Sequence, residues 1–119
     1  MSYSNPTNAT YRFPAGSVIA SATLARIMGP AGMTGRLVDI SYVVTTGVTV
    51  AASGLRVGSV GTTNAYGTLA VPISAADSVG NNMVRGATVD IPKDTAVLVG
   101  SSGGATAGAV DIIVSIDWF

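Results

Sequence analysis

The sequence predicts an all-β fold: an antiparallel β-sandwich, jelly-roll-like, with seven to eight short strands. Three observations carry that prediction. The final stretch alternates without a break, with Val110, Ile112, Val114, Ile116 and Trp118 on one face and Asp111, Ile113, Ser115 and Asp117 on the other. That is the period of a two-faced strand. Turn signals recur roughly every 8 to 14 residues with no long amphipathic helix between them, a spacing typical of sandwiches. Fifteen of the 119 residues are glycine, which suits many tight turns.

Residues 1–16 are expected to form an extended N-terminal arm, and residues 17–119 the sandwich domain. The first segment is polar and punctuated by Pro6, Pro14 and Gly16, yet it holds Tyr3, Tyr11 and Phe13, three of the seven aromatics. Aromatics gain only when buried, so the arm is expected to dock on something, with Tyr3, Asn5, Tyr11 and Phe13 as its partner-binding residues. The alternative puts Tyr11 and Phe13 in a first short strand of the same domain.

Val18 to Met28 is strand-capable but alanine-rich, so a helix stays open there. Ser21 and Thr23 interrupt that helix, and Gly29-Pro30-Ala31-Gly32 closes the segment as a loop. Gly35 to Thr46 alternates Val38, Ile40, Tyr42 and Val44 against Asp39, Ser41, Val43 and Thr45, a clear strand. Val48 to Ala52 and Gly54 to Gly58 follow, with Leu55 and Val57 pointing opposite to Arg56. Tyr66 to Val71 is a strand stopped by Pro72, and Ala75 to Ser78 has room for one helical turn. Ala87 to Ile91 is a further candidate strand before Pro92. Thr95 to Val99 is expected to pair with the last strand across the glycine-rich link Gly100–Gly108.

Composition narrows function by exclusion. Histidine, cysteine and glutamate are absent, which removes disulfide frameworks, thiolate metal sites and most general-base chemistry. The chain is therefore expected to be no enzyme and to need no cofactor or metal. Six basic and six acidic residues cancel, and charged residues make up 10%, against about 25% in an average domain. So little charge points to a surface covered by copies of the chain or by a larger assembly. The six basic residues are scattered, which disfavours nucleic acid. No apolar run reaches membrane-spanning length, and no basic, apolar leader opens the chain, so synthesis in the cytosol is expected.

The sharpest motif is Gly100-Ser-Ser-Gly-Gly104, formally G-x-S-x-G. A nucleophile elbow needs a strand-to-helix turn and a base, and the chain has no histidine, so a hairpin connection is the better reading. A phosphate loop would need Gly-Lys-Ser/Thr, and Lys93 is the only lysine. Asp111 and Asp117 share a strand face about 20 Å apart, too far for a carboxylate pair, though Asp39 could approach one of them across strands. Asp77, Asn81 and Asn82 read as turn-capping residues rather than a calcium loop. Asn8-Ala-Thr10 matches a glycosylation acceptor without the leader it would require.

Several segments resemble the small β-sandwich head-decoration (cement) proteins of tailed bacteriophages and related virion proteins. They are Gly29-Pro-Ala-Gly32 before Gly35-Arg-Leu-Val-Asp-Ile40, Gly54-Leu-Arg-Val-Gly58, Ile91-Pro-Lys-Asp-Thr95, and Gly103-Gly-Ala-Thr-Ala-Gly108 leading to Ile116-Asp-Trp-Phe119. The likeness is one of style and segment order over residues 17–119. It implies a homotrimer on the virion surface that binds the major capsid protein and stabilises the shell. Ile113, Trp118 and Phe119 are the candidate subunit-interface residues. Other readings are a head-fibre or tail-associated base, a carbohydrate-binding module, and more distantly a hydrolase. If the arm is not the anchor, the loops Gly29–Gly35, Gly58–Ala65 and Asp77–Asn82 are the next candidates.

Overall fold

A computed structural model describes residues 7–119. Its strands are β1 (Thr7–Ser17), β2 (Ser21–Met28), β3 (Gly35–Thr49), β4 (Ser53–Ser59), β5 (Thr62–Val71), β6 (Val79–Gly80), β7 (Val84–Arg85), β8 (Asp90–Ile91), β9 (Ala96–Ser102) and β10 (Ala107–Trp118). They form two antiparallel sheets packed face to face, an all-β sandwich. One sheet runs β1-β10-β3-β6, with β8 also paired to β3, and the other runs β2-β9-β4-β5-β7. Seven strands are long, and β6, β7 and β8 have two residues each.

β10 organises the first sheet because its alternation is unbroken. Val110, Ile112, Val114, Ile116 and Trp118 are all buried, and every residue between them is half-exposed. From the other sheet Leu55, Val57, Leu69, Val97 and Val99 complete the same core. Gly29 and Gly35 make room for the Trp118 indole: a Cβ on either would come within 2.4 and 2.6 Å of its ring. The Trp118 Nε1–H donates to Tyr11 Oη at 3.0 Å, so the one polar atom of the indole is satisfied.

Three expectations change here. Residues 7–16 are not separate from the sandwich: Thr7 to Phe13 pair residue by residue with Trp118 to Ile112, and the bulge falls only between Phe13 and Gly16. Tyr11 and Phe13 pack against the domain's own core, which covers part of their apolar area. Tyr3 and Asn5 lie outside the described residues.

Thr95–Val99 does not pair with the last strand. β9 lies between β2 and β4 in one sheet, and β10 lies between β1 and β3 in the other. The glycine-rich link is a crossover between sheets. Gly103 and Gly104 take φ of 74° and 110°, values that favour glycine. Two backbone bonds hold the link: Gly104 N–H donates to Ile19 O in the β1–β2 connection at 3.1 Å, and Thr106 N–H to Thr49 O at the end of β3 at 3.1 Å.

The third change concerns Ala75–Ser78, which forms a single turn closed by Ser78 N–H to Ala75 O at 3.3 Å, with Asp77 at φ 70°. A left-handed third position ends any helix there. Elsewhere the strands run longer or shorter than expected. β3 continues through Val48 to Thr49, and the candidate at Ala87–Ile91 shrinks to β8. Gly86 and Thr88 instead donate their N–H groups to Tyr66 O and Ala65 O, both at 3.0 Å.

The two long sides of the sandwich differ. On one, residues 79–91 lace the sheets together: β6 pairs β3, β7 pairs β5, and β8 returns to β3. Arg85 Nη1 crosses between the sheets to Leu37 O at 2.6 Å. On the other side β1 and β2 are the outermost strands of their sheets, and no described strand pairs with their outer edges.

Candidate functional site

Among the described residues, the most distinctive unsatisfied feature is the outer edge of β1, and its backbone orientation follows from one pair. Phe119 and Thr34 exchange backbone bonds in both directions at 2.8 Å. Such pairs alternate along an antiparallel strand. Phe119, Asp117 and Ser115 therefore turn their backbone groups toward β3, while Trp118, Ile116, Val114 and Ile112 turn theirs toward β1. Their partners in β1 are Thr7, Ala9, Tyr11 and Phe13. Asn8, Thr10 and Arg12 consequently aim N–H and C=O outward. At the far end Val18 N–H donates to Gly108 O at 3.3 Å, in keeping with the same alternation. Pro14 occupies the next outward position and has no N–H to offer.

The side chains beside this edge are tied down on the outer face. Arg12 Nη2 meets Asp111 Oδ2 at 2.6 Å. Asn8 Nδ2 donates to Asp117 Oδ1 at 2.7 Å and to Ser115 Oγ at 3.0 Å. On the inner face Ala9, Tyr11 and Phe13 are only partly buried, so one flank of each is uncovered. Register thus brings Tyr11 and Phe13 to the open edge, but as part of a strand.

The candidate subunit-interface residues separate. Trp118 is 2% exposed within the single chain, so its ring serves the core and has no surface to offer a neighbour. Ile113 sits on the outer face, opposite Arg12 on one side and Ser41 on the other. With Val43 and Val79 it lines a shallow depression of about 260 Å³. Phe119 is half-exposed beside a wider recess with Gly32, Pro92 and Lys93, and the Arg36 guanidinium lies 6.0 Å from its ring centroid. The remaining recesses are bordered by Pro72 and Asn82, and by Arg56 and Ser102. None of these four is lined by a carboxylate.

The chemical motifs do not come together. Ser102 ends β9, with its Oγ donating to Gly54 O at 3.3 Å. Asp39 lies opposite Ser115, between Asp111 and Asp117 on an open face. Among the described residues no group of three or more metal-ligating side chains forms. Among the described aromatics Tyr11, Phe13 and Phe119 are half-exposed and Tyr42, Tyr66 and Trp118 are buried. The loops at 29–35 and 58–65 share one end of the sandwich, whereas 77–82 begins the lacing segment along its side.

Sequence reasoning missed the difference between the two sides, because strand order is a long-range property. It also missed the opposite end. Exposed Ile19, Val50 and Ile73 sit there on turns that carry no charge. Val50 is held at φ 71° in a tight turn closed by Ala51 N–H to Thr49 O at 2.9 Å, a strained position for a β-branched residue. A scan against protein-family models finds no match, and a search of curated proteins finds no similar sequence.

Proposed function

We propose that this chain is a non-enzymatic structural protein that acts as a homo-oligomer on a larger protein assembly. The resemblance read in the sequence makes the outer surface of a phage capsid the assembly to test first. The observation that carries the reading is the poverty of its surface. Only twelve charged residues serve 119, and four of them pair off as Arg12–Asp111 and Arg36–Asp90. Meanwhile nine large aliphatic side chains stay exposed among the described residues. A solitary soluble domain normally carries more charge.

Strand order supports the same reading. We read β1-β10-β3 facing β2-β9-β4-β5 as a jelly roll, an architecture used by viral capsid and lectin domains. Fold is a weaker warrant than a site, and the lectin branch lacks a fully exposed aromatic among the described residues. Mechanistically the function is stabilisation by binding. A protein that binds only the assembled lattice lowers the free energy of that state by mass action, and several modest contacts on one oligomer add through avidity.

Co-sedimentation with assembled capsids of the source virus tests the proposal. The chain is expected to pellet with shells and to stay in the supernatant with dissociated capsid subunits. A chain that ignores both overturns the capsid reading.

A further inference from the structure

We infer that the free edge of β1 is a pairing site for a second copy of this chain, with two β1 strands running antiparallel about a twofold axis at Thr10. This goes beyond the proposed function, since it concerns how copies join and not what they bind. It is a twofold contact, in place of the threefold assembly that the sequence resemblance implies.

The first support is a backbone edge that no described strand pairs with. Asn8, Thr10 and Arg12 present outward N–H and C=O groups on a strand of 11 residues. A bare edge of this kind is a template for another strand. On the laced side β6, β7 and β8, of two residues each, blunt the edges, whereas β2 is left open beside β1. β1 itself is interrupted only past Arg12, at Pro14 and the bulge before Gly16.

The second support is that the segment is complementary to itself. Asn8, Thr10 and Arg12 are the outward-facing residues of β1, so the usable lane is centred on Thr10. A twofold register there sets Thr10 against Thr10 of the second copy, and Asn8 against its Arg12. These are the outward-facing residues, and each such pair exchanges two backbone bonds. No like charges meet, because Arg12 faces an asparagine already bonded to Asp117.

The inner face fits by size. The same register sets Tyr11 beside Ala9 of the second copy and Phe13 beside its Thr7. These are the close, non-hydrogen-bonded positions, where an aromatic gains most from a small neighbour. Tyr11 and Phe13 each have a flank left uncovered by the single chain, and pairing would cover it.

Sedimentation equilibrium of the full chain over a range of concentrations tests the inference, with Thr10→Pro as the decisive variant. The Thr10 N–H points away from β10, so the substitution costs no bond within the chain. The native chain is expected at about 24 kDa, twice its 11.8 kDa. Thr10→Pro removes one donor from each copy, so dimerisation is expected to weaken about thirtyfold, with the melting transition of the dilute monomer unchanged. The chain has no cysteine of its own. Thr10→Cys therefore adds a fold-independent check: the dimer should cross-link through position 10, while Thr68→Cys on the other sheet should not. A native monomer, a mass near 35 kDa, or a Thr10→Pro dimer of unchanged affinity would each overturn the inference.

Discussion

The two long sides of the sandwich solve one problem in opposite ways. Both expose strand edges. On the laced side one segment visits three strands in turn, pairing with β3, β5 and β3 again, and it adds the Arg85 to Leu37 bond between the sheets. On the open side β1 and β2 end the sheets with no further described strand. The laced side is finished within one chain, whereas the open side keeps the outward backbone groups of Asn8, Thr10 and Arg12 unpaired among the described residues. A side left open in this way is the one we propose for association, and its inner residues Ala9, Tyr11 and Phe13 are only partly buried.

The largest expected effect is in packing. Leu37→Ala, at a fully buried residue on the laced side, is expected to destabilise by about 2–5 kcal/mol in denaturant melts. Phe13→Ala on the open side should cost less in the monomer, because its ring is only partly buried. Equal costs would erase the distinction between the sides.

Next in size is the lacing itself. A Cβ at Gly86 would come within 2.2 Å of Ala65 O, a backbone atom that cannot swing aside. Gly86→Ala is expected to cost about 1–3 kcal/mol by forcing the segment off β5. Amide exchange should then quicken at Val84 to Thr88 before it does elsewhere. Uniform exchange across the chain would mean that residues 79–91 do not act as a seal.

On the open side Tyr11→Phe removes the acceptor of the Trp118 Nε1–H. The expected loss is about 1 kcal/mol, the net worth of one partly buried hydrogen bond. A cost near that of Leu37→Ala would show that β1 carries more of the fold than its exposure suggests.

A smaller effect lies in pH. Burial raises the phenol pKa of Tyr42 and of Tyr66 above the ordinary 10.0. The unfolded chain releases these protons first as pH rises. Stability is therefore complete below about pH 10 and falls as pH climbs through the raised values. Tyr42→Phe should flatten the alkaline limb of a melting-temperature profile, and an unchanged limb would assign the loss to other groups.

Much of this fold is legible in the sequence because alternation is a local property. Val110 to Trp118 could be assigned inside and outside from spacing alone, and so could Leu55, Arg56 and Val57. Partnership between strands was not legible. Thr95–Val99 stands next to β10 in the chain but across the core in space, because two left-handed glycines carry the link between sheets. Tyr11 and Phe13 marked a place where apolar area must be covered, but sequence could not say that most of the cover is the chain's own core. The free edge was hidden for a deeper reason. It is a property of backbone direction, set by the register of β1 on β10, and no side-chain pattern records it.

The central claim is that the open edge closes on a second copy, and amide hydrogen exchange of β1, residue by residue against protein concentration, tests it most directly. The account predicts that Ala9, Tyr11 and Phe13 are protected at every concentration, because their N–H groups bond to β10. Asn8, Thr10 and Arg12 should exchange freely in dilute solution and become protected together as concentration rises. Outward amides that stay fast at all concentrations, or protection that does not alternate along the strand, would contradict it.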